Sequence, residues 1–442
     1  MKWIFIAALM VFTPAAAAFL RNNQRYVVHA CFLIGVAIFF QNPYFSVSPI
    51  FWDWPGPVQG FQVTLVDSLA IAILLSTPSV RLPPTLKLAF GIYLLGILIS
   101  SFAAHQLMPV AFYVWQLGRA ALLFAAIARA TACHERAPLA LAGGLGCAIA
   151  IEALLVIKQF ASGNGAPGGT LGHRNILGMT SHFATLPAFA LLLAGYRRRL
   201  AALTVFCGII VALLGGSRAT IGLFALGVLT ATLLSMRHKM TGRKGAVAAA
   251  AAVLAICAVP LMIWSVNRRS ESTLHSSDAE RSAMIQAARM MIADHPLGVG
   301  ADQYVVVANL GGYADRAGVP WNKDDRSAPV HNSYFLITAE LGFVGLLGLL
   351  SIFAAVLATG WNTLRLGTGP RSELLVGFVA TVFILAIHIS FEWVFETATL
   401  QYLTACAFGA VIGIAASLRA NTRVPKPQRT SVSAAAPLPQ RA

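Results

Sequence analysis

His331 and Asn332 stand where a polar segment ends and an apolar run begins, in HNSYFLITAELGFVG, residues 331–345. An imidazole at the mouth of a membrane helix exchanges protons with water, and its near-neutral pKa suits general-base work. A polar helix start that anchors the run at the interface would use the same residues. Nine residues separate Asn332 from Gly342, and two more separate Gly342 from Gly345. Arg281 lies one turn before Ile285 on an amphipathic stretch. Its planar fork is shaped to grip a phosphate, although an ion pair with Asp278 or Glu280 is the plainer use. Arg218 closes Gly215-Gly216-Ser217-Arg218 at the start of another apolar run, where a snorkelling interfacial arginine is also expected. Gly172-His173-Arg174-Asn175 opens a further run, and glycine-rich sequence at a helix start can present amides to an anion.

The elements that must position these residues are membrane helices. The chain has 442 residues, 57% of them hydrophobic and only 11% charged, the balance of an integral membrane protein. Apolar runs lie near 3–20, 26–40, 61–77, 86–103, 111–129, 138–157, 176–195, 200–215, 218–236, 246–264, 332–359, 373–391 and 399–418. Each approaches the ~20 residues that cross a bilayer as a helix. Unbroken runs exclude a barrel, whose strands would alternate. The expected fold is therefore an all-α polytopic membrane protein of 12–13 spans, with one transmembrane domain over 1–418 and a disordered tail over 419–442. The first run also reads as a signal peptide, but cleavage would leave Arg21 and Arg25 outside, so an uncleaved span is preferred.

The net charge of +16 does not point to nucleic acid, because the basic residues sit in short turns: Arg197–Arg199, Arg237–Lys244 and Arg365–Arg371. That is the positive-inside pattern, and it places 265–330 on the opposite, outer side. This large periplasmic loop holds eight of the sixteen acidic residues and seven basic ones. Ser277-Asp278-Ala279-Glu280 resembles a capping box, and Ile285, Ala288 and Ile292, flanked by Met284 and Met291, follow at helical spacing. The six cysteines are scattered with no CxxC pair, so neither a zinc site nor a disulfide framework is implied.

Other polar residues read mainly as structural. Arg119, deep in the fifth run, calls for a buried partner, and Glu152 in the next run is the expected one. Glu340 is a partner for an arginine or a histidine, and Gly342, Gly345 and Gly348 read as packing residues. Asp53 is the one acidic residue of the first outer loop, and Asp324-Asp325 reads as a solvated loop tip. Hard cations want several converging oxygens, so no metal site is expected.

The spacing His331, Asn332, nine residues, Gly342, two residues, Gly345 resembles that of the O-antigen ligase family, within the O-antigen polymerase and ligase superfamily. The resemblance extends loosely from about Gly172 to Gly345. It implies a GT-C-like glycosyltransferase architecture. It also implies a donor, an undecaprenyl-diphosphate-linked glycan, and an acceptor, lipid A–core oligosaccharide, joined at the periplasmic face of the inner membrane without a cofactor. In that family an essential arginine lies in the large loop; Arg281 matches its position best, and Arg289 competes. An arginine also starts the span that Arg218 opens, though Ile221 stands where leucine is usual and Leu223 follows. The implied catalytic residues are His331, Arg281 and Arg218, and the implied substrate-binding residues are Arg174, Asn175, Asn332 and Arg289. A polymerase or a protein O-oligosaccharyltransferase shares the pattern. A secondary transporter would need paired broken helices in related halves, a pattern not found.

Overall fold

The computed structural model of the protein describes residues 2–40, 46–237, 240–267, 271–367 and 369–423. In chain order the helices are α1 Lys2–Asn22, α2 Val27–Ala37, α3 Leu65–Ser76, α4 Pro84–Ser101, α5 Leu107–Cys133, α6 Ala137–Ala161, α7 Arg174–Ala194, α8 Arg198–Gly215, α9 Arg218–Met236 and α10 Gly242–Asn267. Next come α11 Glu271–Asp294 and the short α12 Tyr304–Leu310, α13 Tyr313–Arg316 and α14 Lys323–Arg326. The long α15 Ser333–Trp361, α16 Pro370–His388 and α17 Ala398–Arg423 complete the chain. One antiparallel pair, β1 Ser46–Val47 and β2 Val63–Thr64, closes the first loop.

The protein is an all-α polytopic membrane protein. Among the described residues ten helices are long and apolar enough to span a bilayer: α1, α4 to α9 and α15 to α17. The runs near 26–40 and 61–77 form shorter apolar helices, Gln24–Phe40 and Leu65–Ser76. The run near 246–264 forms α10, much of whose side-chain set lies outside the described residues, as do residues 424–442 of the tail. Burial inside the bundle ranks the spans: 89% for α7, 83% for α17 and 72% for α16, against 17% for α1. The first three are the core against which the site is built.

Buried charges tie the bundle together. Arg119 does not meet Glu152; its Nε donates to Asp67 Oδ2 at 2.9 Å, and its guanidinium lies 5.0 Å from the Tyr402 ring centre. The Tyr402 hydroxyl donates to the same Asp67. Asp67 also caps α3 reciprocally with Thr64, so one carboxylate joins α3, α5 and α17. The sequence neighbour lost to a distant residue because α5 packs on α3 and α17. Glu152 instead accepts from the amide (3.0 Å) and hydroxyl of Thr170 and supports the turn before α7. At the other end, Lys244 Nζ donates to Glu373 Oε1 at 2.7 Å and Ser235 Oγ to Glu373 Oε2 at 2.7 Å, joining α9, α10 and α16.

Helices α11 to α14 fold with the start of α15 as a cap with its own core, including Met284, Ala288, Met291, Tyr304, Val319, Val330 and Leu336. Its main helix, α11, begins at Glu271 and not at the expected capping box; the side chains of Ser277 and Asp278 lie outside the described set. Its buried face centres on Met284, Ala287, Ala288 and Met291, with Ile285 and Ile292 half-buried at the margin. At the loop tip, Asn322 caps α14.

The cap is seated on a break in α15. Gly342 has φ 69° and ψ −174°, a backbone region essentially open only to glycine. The break frees carbonyls, and the loop after α11 satisfies them: Val299 N–H donates to Ala339 O at 3.0 Å and Gly300 N–H to Glu340 O at 2.9 Å. In return Phe343 N–H donates to Pro296 O at 3.1 Å. Glu340 meets neither an arginine nor a histidine. Its carboxylate accepts from the amides of Asp302 and Tyr304, each at 2.9 Å, and so caps α12. Asp302 in turn accepts from Trp54 Nε1 through its carbonyl (2.7 Å), which pins the first outer loop; Asp53 beside Trp54 is exposed. Gly342 is thus more than a packing residue, whereas Gly345 does pack: a Cβ on Gly96 of α4 would lie 2.6 Å from its Cα.

A side chain at 342 meets both obstacles, since its Cβ would also lie 2.5 Å from the Leu297 carbonyl carbon. Gly342→Ala is expected to cost ~1–3 kcal/mol for the conformation and ~1–3 kcal/mol for overpacking. Gly91→Ala, which meets open space, is expected to be neutral. Thermal unfolding of the purified variants checks both; an unchanged midpoint for Gly342→Ala contradicts the break.

Candidate functional site

The site assembles around a residue that the sequence reading did not single out. Glu392 lies in the turn between α16 and α17, with a side chain only 3% exposed. That turn is fastened to the start of α15: Ser333 N–H donates to Ile389 O at 2.8 Å, and Ser333 Oγ donates to Glu392 O at 2.7 Å. The Tyr334 hydroxyl adds a bond to Ala386 O at 2.6 Å. The carboxylate is therefore fixed by backbone contacts before its own side chain is used.

Three segments converge on that side chain. Asn175 Nδ2, in the first turn of α7, donates to Oε1 at 2.6 Å. An Arg281 guanidinium nitrogen on α11 donates to the same oxygen at 3.2 Å. His331 Nδ1 lies 3.3 Å from Oε2. A carboxylate only accepts, so this bond puts the imidazole proton on Nδ1 and leaves the Nε2 lone pair as a base. The expected residues Arg281, His331 and Asn175 are thus brought together.

Charge around the site is cationic. Burial alone would raise the Glu392 carboxyl, but the His331 bond and the charges of His331 and Arg281 hold it below the ordinary range. Two other buried carboxyls behave oppositely. Burial, with the nearby Glu340 charge, pushes Asp302 and Glu396 well above that range. Glu392 is left as the ionised carboxylate among cations. His173 is pushed below its ordinary value by desolvation and by Arg174, His331 and Arg281, partly offset by Glu392. The same influences place His173 and Arg174 beside the cluster.

Three helices start here. α7 begins at Arg174 behind His173, whose Nδ1 accepts from Asn175 N–H at 3.3 Å. α15 begins behind Asn332, whose Oδ1 accepts from the amides of Tyr334 (3.0 Å) and Phe335 (3.2 Å). α9 begins at the exposed Arg218, and its start lies beside that of α7, because a Cβ on Gly178 would run into Thr220. Helix starts carry partial positive charge and free amides, which favour anions. Asn332 spends its carbonyl on capping. Arg289 lies apart, exposed over the Phe335 ring at 5.6 Å.

Glu392 escaped sequence reading because Phe391 and Trp393 flank it just past the apolar run near 373–391. Two carboxylates, Glu392 and Glu396, in an outer turn without cations were the available signal.

Residues 183–350 match the O-antigen ligase family. Comparison with curated proteins finds no match. The matched segment contains Arg218, Arg281, Arg289, His331, Asn332, Gly342 and Gly345, whereas Arg174, Asn175 and Glu392 lie outside it.

Because its folded carboxyl lies below the ordinary value, Glu392 stabilises the protein above the ordinary carboxylate range, ~4.3, and that contribution is lost as pH falls through the folded value. At neutral pH, Glu392→Gln is expected to be less stable by on the order of 1 kcal/mol, reduced by the 37% exposure of Arg281. The gap should close as pH drops below ~4. Thermal midpoints measured from pH 7 to 3 check this; a gap that persists or widens in acid contradicts it.

Proposed function

We propose, from the match of residues 183–350 to the O-antigen ligase family, that the protein is a glycosyltransferase of that type. It moves a polysaccharide from an undecaprenyl-diphosphate carrier to a hydroxyl of lipid A–core oligosaccharide. The reaction takes place at the periplasmic face of the inner membrane, a side that the positive-inside pattern supports. The observation that carries this reading is the Glu392 carboxylate joining His331 to Arg281 at the mouth of three helix starts.

The chemistry follows from the placement. His331 Nε2 takes the proton of the acceptor hydroxyl as the oxygen attacks the anomeric carbon. The bond from that carbon to the diphosphate oxygen breaks, and undecaprenyl diphosphate departs with the electron pair. One displacement inverts the anomeric configuration. Glu392 holds the imidazole through Nδ1 and stabilises the imidazolium that forms, as a carboxylate orients histidine in other general-base sites. Arg281, still 37% exposed, has donors free for the diphosphate, with Arg218 and Arg174 at the adjoining helix starts. Cations fixed where charge develops lower the barrier without reorganisation. This reading assigns neutralisation of the diphosphate to arginines, so transfer is expected to survive chelation. Asn175 and Asn332 keep the donor-side helix starts in register.

A polymerase of the same superfamily differs in acceptor. Purified protein given lipid-linked polymer and lipid A–core separates the two: ligated lipopolysaccharide supports the ligase, and lengthened lipid-linked polymer alone supports the polymerase. In the same assay His331→Ala should lower single-turnover transfer by ~10²–10⁴-fold with donor binding nearly intact. Arg281→Ala should weaken both, and Arg281→Lys should rescue poorly, because a point charge does not replace a fork. Near-normal transfer by His331→Ala, normalised to folded protein, contradicts the assignment.

A further inference from the structure

At the end of the bundle opposite the site, four helices enclose a cavity of about 420 Å3. That is within the ~300–1,000 Å3 of ordinary ligand pockets. Val28 of α2, Leu139 of α6, Ala188 and Leu191 of α7, and Leu200 and Thr204 of α8 form its walls. Nothing in the proposed glycosyl transfer uses it.

Its rim carries two arginines, Arg136 before α6 and Arg197 before α8. Both are exposed, and among the described residues neither guanidinium has a hydrogen-bond or ion-pair partner. Glu135, next to Arg136, acts on Arg371. Arg197 is held at φ 46° and ψ 40°, a left-handed conformation uncommon for a residue with a side chain. The tight turn from Gly195 to Arg197 thus fixes one cation at the cavity mouth. The wall residue Leu200 is 59% exposed, and Leu203 and Phe206 on α8 are 52% and 60% exposed. An apolar face of this kind on a spanning helix looks onto lipid chains.

We propose that this cavity binds one anionic phospholipid, with the phosphate at Arg136 and Arg197 and an acyl chain along α6, α7 and α8. Charge complementarity selects the headgroup, since basic pockets between spanning helices on the cytoplasmic side take anionic lipids. The apolar walls, which contribute most of the lining, favour a lipid over a soluble anion. The inference does not depend on the proposed reaction, because the cavity lies at the other end of α7.

Native mass spectrometry of the full chain in mild detergent, titrated with phosphatidylglycerol, tests it. The wild type should hold one molecule in preference to phosphatidylcholine. Arg136→Gln with Arg197→Gln should weaken that binding roughly thirtyfold, given the usual contribution of each basic residue at a charged membrane surface. Gly143→Leu, which keeps both arginines but fills the groove they cap, should also lose it. Arg198→Gln with Arg199→Gln, on the same turn but off the cavity lining, should keep it. Circular dichroism confirms that each variant is folded. Equal binding of the two lipids, retention in the Arg136/Arg197 variant, equal loss in the Arg198/Arg199 variant, or displacement by soluble glycerol phosphate would each overturn the proposal.

Discussion

A single ionised carboxylate holds the candidate site together. Glu392 accepts from Asn175, Arg281 and His331, which belong to three segments far apart along the chain. A buried carboxylate is costly unless it is paired and hydrogen-bonded. The site reverses that cost by surrounding one anion with cations and helix starts, which is why its carboxyl stays below the ordinary range while those of Asp302 and Glu396 rise above it. The same arrangement leaves a surplus of positive charge facing outward. The diphosphate of the proposed donor would be complementary to that surplus.

The second constraint is the break in α15. A continuous helix would carry its start away along one axis and offer no carbonyls to the cap. With Gly342 in its glycine-only conformation, Ala339 and Glu340 carbonyls accept from the loop at 299–300, and the Glu340 side chain caps α12. The outer cap is thereby fixed to the helix that presents His331, and α11 lies where Arg281 reaches Glu392. The spacing His331, Asn332, Gly342, Gly345 acquires a physical meaning residue by residue. It places an imidazole at the helix start, the Asn332 cap behind it, a break nine residues beyond Asn332, and close contact with α4 after that.

Much of this was legible because membrane helices announce themselves by long apolar runs, and because helix starts are marked by capping residues. His331, Asn332 and Arg281 follow from those rules together with the family spacing. The failures share a cause. Arg119 was given to Glu152, its neighbour along the chain, but helix packing delivered Asp67 and Tyr402. Glu392 binds partners 61, 111 and 217 residues away, and no local pattern encodes such a meeting. Glu340 was expected to partner an arginine or a histidine, because the backbone amides it caps are not visible in side-chain spelling. The buried face of α11 was misplaced by about one position, since Ala287 does not stand out as a core residue in a hydrophobic pattern.

The proposed chemistry depends on the proton that Glu392 holds on one nitrogen of His331. Solid-state nitrogen-15 NMR of histidine-labelled protein in bilayers, with His331 assigned by its loss in His331→Gln, reads that directly. The predicted signal is an imidazole protonated at Nδ1 with a bare Nε2, changing to a mixture of tautomers in Glu392→Gln. A bare Nδ1 with the proton on Nε2 in the wild type would contradict the account, because the nitrogen required to accept the acceptor's proton would already be occupied.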